Sequence, residues 1–432
     1  MSDLSQSGIE SVPLTTDEEN KEKQPIEHEG RATIASSSFN LTKTIVGCGI
    51  MTLPYNLKNC GWVFGILCLL LVGISSTYGF HLLTVASAYT GSFQYRDISS
   101  RLYNKRISIF IAIMVIVYTF GSLASYCIVI RDNMFWWPED AEGASWKRRL
   151  ALWSIMCIVI LPICFLPRIN FLRFTSLIAL SSIFYVICVV ASFCILIHTV
   201  PGLSMSIDPP VSFNWSIDTF TSFPLFTTAF CGHYNMPNIY YELKNRSISR
   251  MNWVTLITSI VTIVFNSTMS LFGYFAFTSA VKSDILKNIA SLSNASVFFY
   301  IANSAMILVI IFSYPLVTFG VRKAIESVAW PENRQVPYKW TVLIIVLLVT
   351  IPTLLATFIS DMDMILSFTA SICGSPVVYI IPGMFGYTVA RRSKGPRHLA
   401  ILSMTLVVLG FFYAISGFVS SVYTIIIRPT IK

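Results

Sequence analysis

Apolar residues in this chain come in long blocks, not in alternation. Eleven blocks, separated by polar or charged connectors, lie at about 33–57, 61–88, 107–130, 150–167, 172–198, 219–241, 252–278, 297–321, 340–359, 364–388 and 399–426. A helix needs about 20 apolar residues to cross the hydrocarbon core, so each block predicts one spanning helix and the whole predicts an all-α polytopic membrane protein. The blocks are called runs 1 to 11 below. Two of them are poorly built as continuous helices. Run 1 belongs to the stretch FNLTKTIVGCGIMTLPYNLKNCGW (Phe39 to Trp62), where Gly47 and Gly49 bracket Cys48 and Pro54 follows. Run 6 reads FPLFTTAFCGHYNMPNIYYELKNRS (Phe223 to Ser247), with Gly232, His233, Asn235, Pro237 and Asn238 in its middle. Glycine weakens a helix and proline removes an intrahelical donor, so both runs are expected to break in mid-membrane. Two breaks five runs apart are the pattern of inverted five-helix repeats, a first at about 33–198 and a second at about 219–388, with a last helix at about 399–426.

Composition agrees and narrows the class. The chain has 432 residues, 54% hydrophobic and 12% charged, with a mean hydropathy of +0.68, and no stretch remains for a large soluble domain. The net charge of +9 invites a nucleic-acid reading, but the bases sit in short connectors and form no basic stripe interleaved with exposed aromatics. With the N-terminus inside, the inner segments hold 20 of the 30 Lys and Arg and the outer segments 9, leaving Lys43 within run 1. That bias predicts a cytoplasmic N-terminus. Residues 1–32 carry eight acids against three bases and almost no large apolar residues, a composition expected to be a disordered acidic tail and not a signal peptide. Residues 33–432 form one transmembrane domain. The ten cysteines lie in or beside apolar runs without a CxxC pair, so neither a disulfide scaffold nor a metal site is expected. Asn214 and Asn294 are glycosylation candidates in outer loops, whereas the sequon at Asn245 falls inside.

The chemistry follows from the ends of broken helices. Irregular backbone at membrane depth is tolerated where it is buried in protein or lines a cavity, and interrupted spans mark transporter sites. Free amides near Gly47, Cys48 and Gly49, at the positive end of the following half-helix, can hold a carboxylate, and freed carbonyls on the preceding half can hold an ammonium or a cation. A zwitterion suits such a site. Gly232, His233 and Asn235 add to it from run 6. The competing reading of the glycines is close helix packing. Lys43 lies about ten residues into run 1; a charge at that depth marks an ion or proton path, unless the helix starts later and the side chain snorkels to the surface. His233 either titrates with transport or serves as a neutral hydrogen-bonding group. Clustered histidines, paired catalytic carboxylates, GxSxG and phosphate-binding loops are missing from the sequence, which argues against an enzyme and implies no cofactor beyond a proton or sodium gradient.

These residues resemble the amino acid/auxin permeases, which include sodium-coupled neutral amino acid transporters and vacuolar amino acid transporters. FNLTKTIVGCGIMTLPY looks like that family's first span, GSFQYRDISSRLYNK with GSLASYCIVIRDN like its second loop and third span, and HYNMPNIYYELKNRS like its sixth. SYPLVTFGVRKAIE and ILSFTASICGSPVVYIIPGMFGY are similar to its eighth and tenth spans. The resemblance implies eleven transmembrane helices, ten of them in leucine-transporter-type inverted repeats, in a vacuolar, lysosomal or plasma membrane. It also implies carriage of amino acids by symport or antiport. Sodium-coupled members often read NLSNA where this chain has NLTKT, so Lys43 stands at a frequent Asn position, and NLTKT looks more like the vacuolar branch. A fixed positive charge there would compete with sodium, favouring proton coupling. For sodium, Val46 and the hydroxyl of Ser313 on run 8 are the matching positions. An alternative of another class is a membrane sensor that binds an amino acid and signals to a cytosolic partner through the N-terminal tail. Flux across sealed vesicles separates the two.

Overall fold

The computed structural model describes residues 30–134, 144–166, 171–200, 208–290, 297–330, 336–359 and 362–423, and among these it is helical, with a single isolated bridge between Ala32 and Leu243. Eight helices are long and apolar enough to cross a membrane: Trp62–Thr90, Lys105–Asp132, Thr175–Thr199, Ile248–Ala280, Val297–Ala329, Tyr338–Phe358, Ile365–Arg392 and Arg397–Val422. They match runs 2, 3, 5, 7, 8, 9, 10 and 11. The other three runs are segmented. Run 4 is Ala144–Ser154, a π-helical turn Ile155–Ile160 and Leu161–Cys164, with Pro162 removing a donor at the join. Run 1 is divided into Ile34–Ile45, a 3-10 turn Cys48–Thr52 and Leu53–Cys60. Run 6 is divided into Ile217–Thr228, a 3-10 turn His233–Asn235 and Met236–Glu242. Both expected breaks are present, each beside the glycines and just before a proline, where a helix restarts readily because the missing N–H is not needed.

Helix starts are fixed by side chains that accept from otherwise unpaired amides. Thr33 accepts from the Ser36 N–H ahead of run 1, Asn104 from Ile107 ahead of run 3 and Ser247 from Arg250 ahead of run 7. Ser216 and Thr219 form a reciprocal capping box at the start of run 6. The outward surface is what lipid requires: Leu67, Ile74, Phe110, Phe184, Trp253, Val264, Val408 and Ile415 are all exposed. Polar residues are inside instead, including Lys43, Asn56, His233, Asn266 and Ser313. The halves of runs 1 and 6 lie at the centre of the bundle. Run 7 packs against the first half of run 1 and against runs 2 and 5, run 8 against runs 3 and 5, and run 11 against runs 6 and 10. The face at which run 1 begins is termed the tail side, and the opposite face the far side.

Candidate substrate and ion site

The first helix of run 1 ends at Val46, where the Gly47 N–H donates to the Ile45 carbonyl at 2.9 Å and closes an inverse γ-turn. The 3-10 turn that follows opens at Gly47 without a side-chain cap, and the turn in run 6 opens at Gly232, also uncapped. Neither turn therefore has its opening amides satisfied by a side chain of its N-cap residue. Carbonyls freed in run 6 are met by neighbouring helices: Asn266 of run 7 donates to the Ala229 carbonyl at 2.9 Å and Ser76 of run 2 to that of Phe230 at 3.0 Å. Such pairing is what membrane depth demands of irregular backbone.

The two breaks touch. A β-carbon built on Gly232 would lie 2.6 Å from Cγ1 of Ile45, and one on Gly49 would lie 3.7 Å from Cγ2 of Thr228. Asn235 ties the breaks together from the tail side, donating to Oγ1 of Thr44 at 3.3 Å. Gly47 faces a different neighbour, since a β-carbon there would lie 2.6 Å from the Tyr126 hydroxyl on run 3. Gly47, Gly49, Gly232 and Asn235 are thus brought to one place, with Cys48 in the same turn. His233 points away from them. Its Nε2 lies 3.1 Å from the Ser76 carbonyl, which can only accept, so Nε2 donates. Its ring stacks on Phe80 at 3.9 Å, and Nδ1 is buried without a partner among the described residues.

Lys43 does not snorkel. It is fully buried near the end of the first helix, donating from Nζ to Oγ1 of Thr175 on run 5 at 3.1 Å, with the Phe312 ring of run 8 centred 6.0 Å away. Ser313, next to Phe312, is buried and its Oγ has no partner among the described residues. Val46 is one turn beyond Lys43 and buried. Of the glycosylation candidates, Asn214 packs over the end of run 1, donating from Nδ2 to the Lys58 carbonyl at 3.4 Å. Asn294 lies outside the described residues.

At the far side the end of run 3 is bound to the stretch that follows run 7. Asp132 accepts from Arg131 at 2.8 Å and from Lys287 at 2.7 Å, and Arg131 also donates to the carbonyls of Ala356 and Ile359. Asp284 accepts from Asn133 at 3.1 Å and from the Leu286 amide at 3.0 Å. Burial pushes the Asp284 carboxyl up to about 6, Lys287 working against the rise and Asp132 adding to it.

Residues 30–427 match the sequence profile of the family described as transmembrane amino acid transporter protein. The chain belongs to this family. As a transmembrane amino acid transporter protein it is an integral membrane transporter, of a family that carries amino acids and is not known to be enzymatic. It is 25% identical over 414 residues to amino acid transporter AVT6E of Arabidopsis thaliana, covering 91% of this chain and 83% of that one. It is 25% identical over 390 residues to vacuolar amino acid transporter 5 of Schizosaccharomyces pombe, covering 88% and 90%. With sodium-coupled neutral amino acid symporter 2 of Danio rerio it shares 24% over 417 residues, covering 88% and 80%. The fold is shared with the Eremococcus coleocola manganese transporter, a histidine-to-alanine mutant of which superposes with a TM-score of 0.64 at 12% identity over 91% of this chain and 87% of that one.

Sequence reasoning missed the partners that surround this transporter's breaks: Tyr126, Thr175, Ser76, Phe80 and Asn266. Tyr118 and Tyr126 stand about two turns apart in a polar-flecked run 3, a signal that a polar seam faces inward. Thr175 and Ser76 carry no such signal, each standing among other hydroxyls (Ser176; Ser75 and Thr77) from which spacing does not distinguish it.

Proposed function

We propose that this chain is a secondary active transporter that moves neutral amino acids by alternating access, driven by protons, through eleven crossings built as two inverted repeats and one extra helix. The observation that carries the reading is the contact of the two broken runs, where Gly232 meets Ile45 and Gly49 meets Thr228, neither 3-10 turn having a side-chain cap. The substrate carboxylate meets the turn at Gly47, Cys48 and Gly49, and the ammonium meets freed carbonyls on the preceding half. Tyr126 stands against the break from run 3 and limits how far the substrate can reach. The positive-inside bias and the named relatives support a cytoplasmic tail side and a vacuolar, lysosomal or plasma membrane.

Lys43 is the proposed coupling residue. Its ammonium occupies the space between runs 1, 5 and 8 where a sodium ion would otherwise compensate the carbonyls near Val46, and a buried ionisable group at that depth suits a proton path. His233 is proposed to position the break as a neutral hydrogen-bond donor, because a second ring proton on Nδ1 would be buried without an acceptor. One observation favours sodium instead: the buried Ser313 Oγ has no partner, as a ligand awaiting a cation would.

Proteoliposomes assayed with a labelled amino acid panel under imposed gradients decide between these. The expected result is uptake driven by a proton gradient and indifferent to sodium. Uptake abolished by replacing sodium with choline at fixed pH would transfer the coupling role to Val46 and Ser313. Binding without flux would turn the reading toward a sensor.

A further inference from the structure

Two adjoining cavities on the tail side lie apart from the residues described so far. The wider, about 790 Å³, is open to the surface between the short helix Tyr95–Leu102, the last helix of run 6 and the end of run 8. The deeper, about 30 Å³, reaches Tyr234, two residues from the break at Gly232. Gln94, Arg96, Asn238, Lys323 and Ser327 line both and so form the neck between them. Tyr234 stands beyond the neck, its ring lying over Gly320 and tilted against Tyr118 at 6.5 Å.

The charges at this neck are not equivalent. Lys323 donates to Oε2 of Glu326 at 3.1 Å, and the same carboxylate has Arg322 at 3.6 Å and Thr341 at 3.3 Å. Arg101, farther out on the wall of the wider cavity, donates to the Thr90 carbonyl at 2.7 Å. Arg96 differs from both: its Nε is buried and meets no acceptor among the described residues. A desolvated donor without an acceptor is costly, so a ligand that supplies one gains that energy back. The Nε edge of a guanidinium presents parallel N–H groups that fit the two oxygens of a carboxylate. The amide oxygens of Gln94 and Asn238 and the Ser327 hydroxyl are acceptors on the same walls for an ammonium. The wider cavity, about 790 Å³, admits an amino acid, whereas the deeper, about 30 Å³, has room for about one water in this conformation.

We propose that Arg96 binds the carboxylate of the transported amino acid at a second, weaker subsite, through which substrate passes between the tail-side surface and the breaks. The subsite rests on the transporter reading and deepens it. The chain holds another carboxylate source, the acidic segment 1–29 that precedes Ala32 in the sequence. The test must separate the two.

Sealed vesicles of the full-length protein, sorted by orientation, are assayed with labelled L-alanine, L-glutamine and L-leucine from each side. Arg96→Gln should raise the tail-side KM by about five- to tenfold, while the far-side KM stays within about twofold. Arg96→Lys should fall between, and Arg101→Gln, at a guanidinium already engaged, should leave the tail-side KM within about twofold. Deleting residues 2–29 should leave the Arg96→Gln effect intact. An unchanged tail-side KM in Arg96→Gln, an equal rise on both sides, or an effect that disappears with the deletion would each overturn the proposal. A wild-type protein that carries none of the three substrates from either side would overturn the transporter reading and the subsite with it, an outcome distinct from a KM that fails to split by side.

Discussion

A buried ammonium with one hydroxyl partner is the least ordinary group in this protein. Lys43 donates to Thr175 and has an aromatic ring as its other near neighbour, so its charge is poorly compensated and its state is easily changed by what binds beside it. Lys43→Asn should abolish accumulation driven by a proton gradient while leaving exchange of labelled for unlabelled substrate measurable. Retained proton-driven accumulation in that variant would show that the coupling group is elsewhere. The glycines divide differently than their symmetric spacing suggests. Gly47→Ala forces a methyl to 2.6 Å from the Tyr126 hydroxyl, whereas Gly49→Ala makes an ordinary 3.7 Å contact with Thr228. Transport should therefore fall by about tenfold or more in Gly47→Ala and stay within about twofold in Gly49→Ala, an angstrom-scale displacement near a site being enough for the larger loss. Gly47→Ala combined with Tyr126→Phe, which removes the crowding oxygen, should recover part of it in the same uptake assay. The depth of Lys43 was legible because a charge inside an apolar run is conspicuous, but its partner was not, for Thr175 is one hydroxyl among many.

At the scale of the element, the breaks were legible because glycine and proline act on the backbone locally, wherever the chain folds. What holds a broken helix open is tertiary and left no pattern. The Ala229 and Phe230 carbonyls depend on Asn266 and Ser76, each one of several polar residues on its helix and not marked out from the others by its spacing. Removing a partner leaves a buried carbonyl unpaired at a cost of about 1–3 kcal/mol, so Asn266→Leu and Ser76→Ala should each lower the melting temperature of the purified protein. Equal melting temperatures would mean that the freed carbonyls find other partners. His233 belongs to the same element, and its donor faces Ser76 and not the glycines of the breaks. His233→Ala should reduce uptake and leave the shape of its pH profile unchanged; a flattened profile would restore it as a titrating group.

For the whole molecule, eight of the eleven apolar blocks are helices long and apolar enough to cross a membrane, because lipid allows hydrophobic length to be read directly from sequence. The contacts between distant loops were not anticipated. Asp284, held against Asn133 on the far side, has its carboxyl raised to about 6 from an ordinary value of 3.8. The folded protein therefore holds this proton more tightly than the unfolded chain, and the stability this confers is full below about 4 and is lost as pH rises through about 6. Melting followed from pH 6.5 to pH 4.5 should show the wild type gaining, relative to Asp284→Asn, an amount of order 2 kcal/mol or less. A parallel response of the two proteins would assign the proton elsewhere. A last feature bears on how run 1 is held. On the far side the chain at 211–214 is laced to the end of run 1, through Trp62 to Val211 at 3.0 Å, Val63 to Ser212 at 3.2 Å and Asn214 to Cys60 at 2.9 Å, around a corner that needs glycine at position 61, where φ is 81°. On the tail side, Ala32 instead clips to Glu242 and Lys244, both bonds 2.9 Å, so that the first half of run 1 is joined to the last half of run 6. One half of run 1 is thus moored to a far-side loop and the other to the last half of run 6, so the two halves of one broken helix are held by different parts of the chain on opposite faces of the bundle.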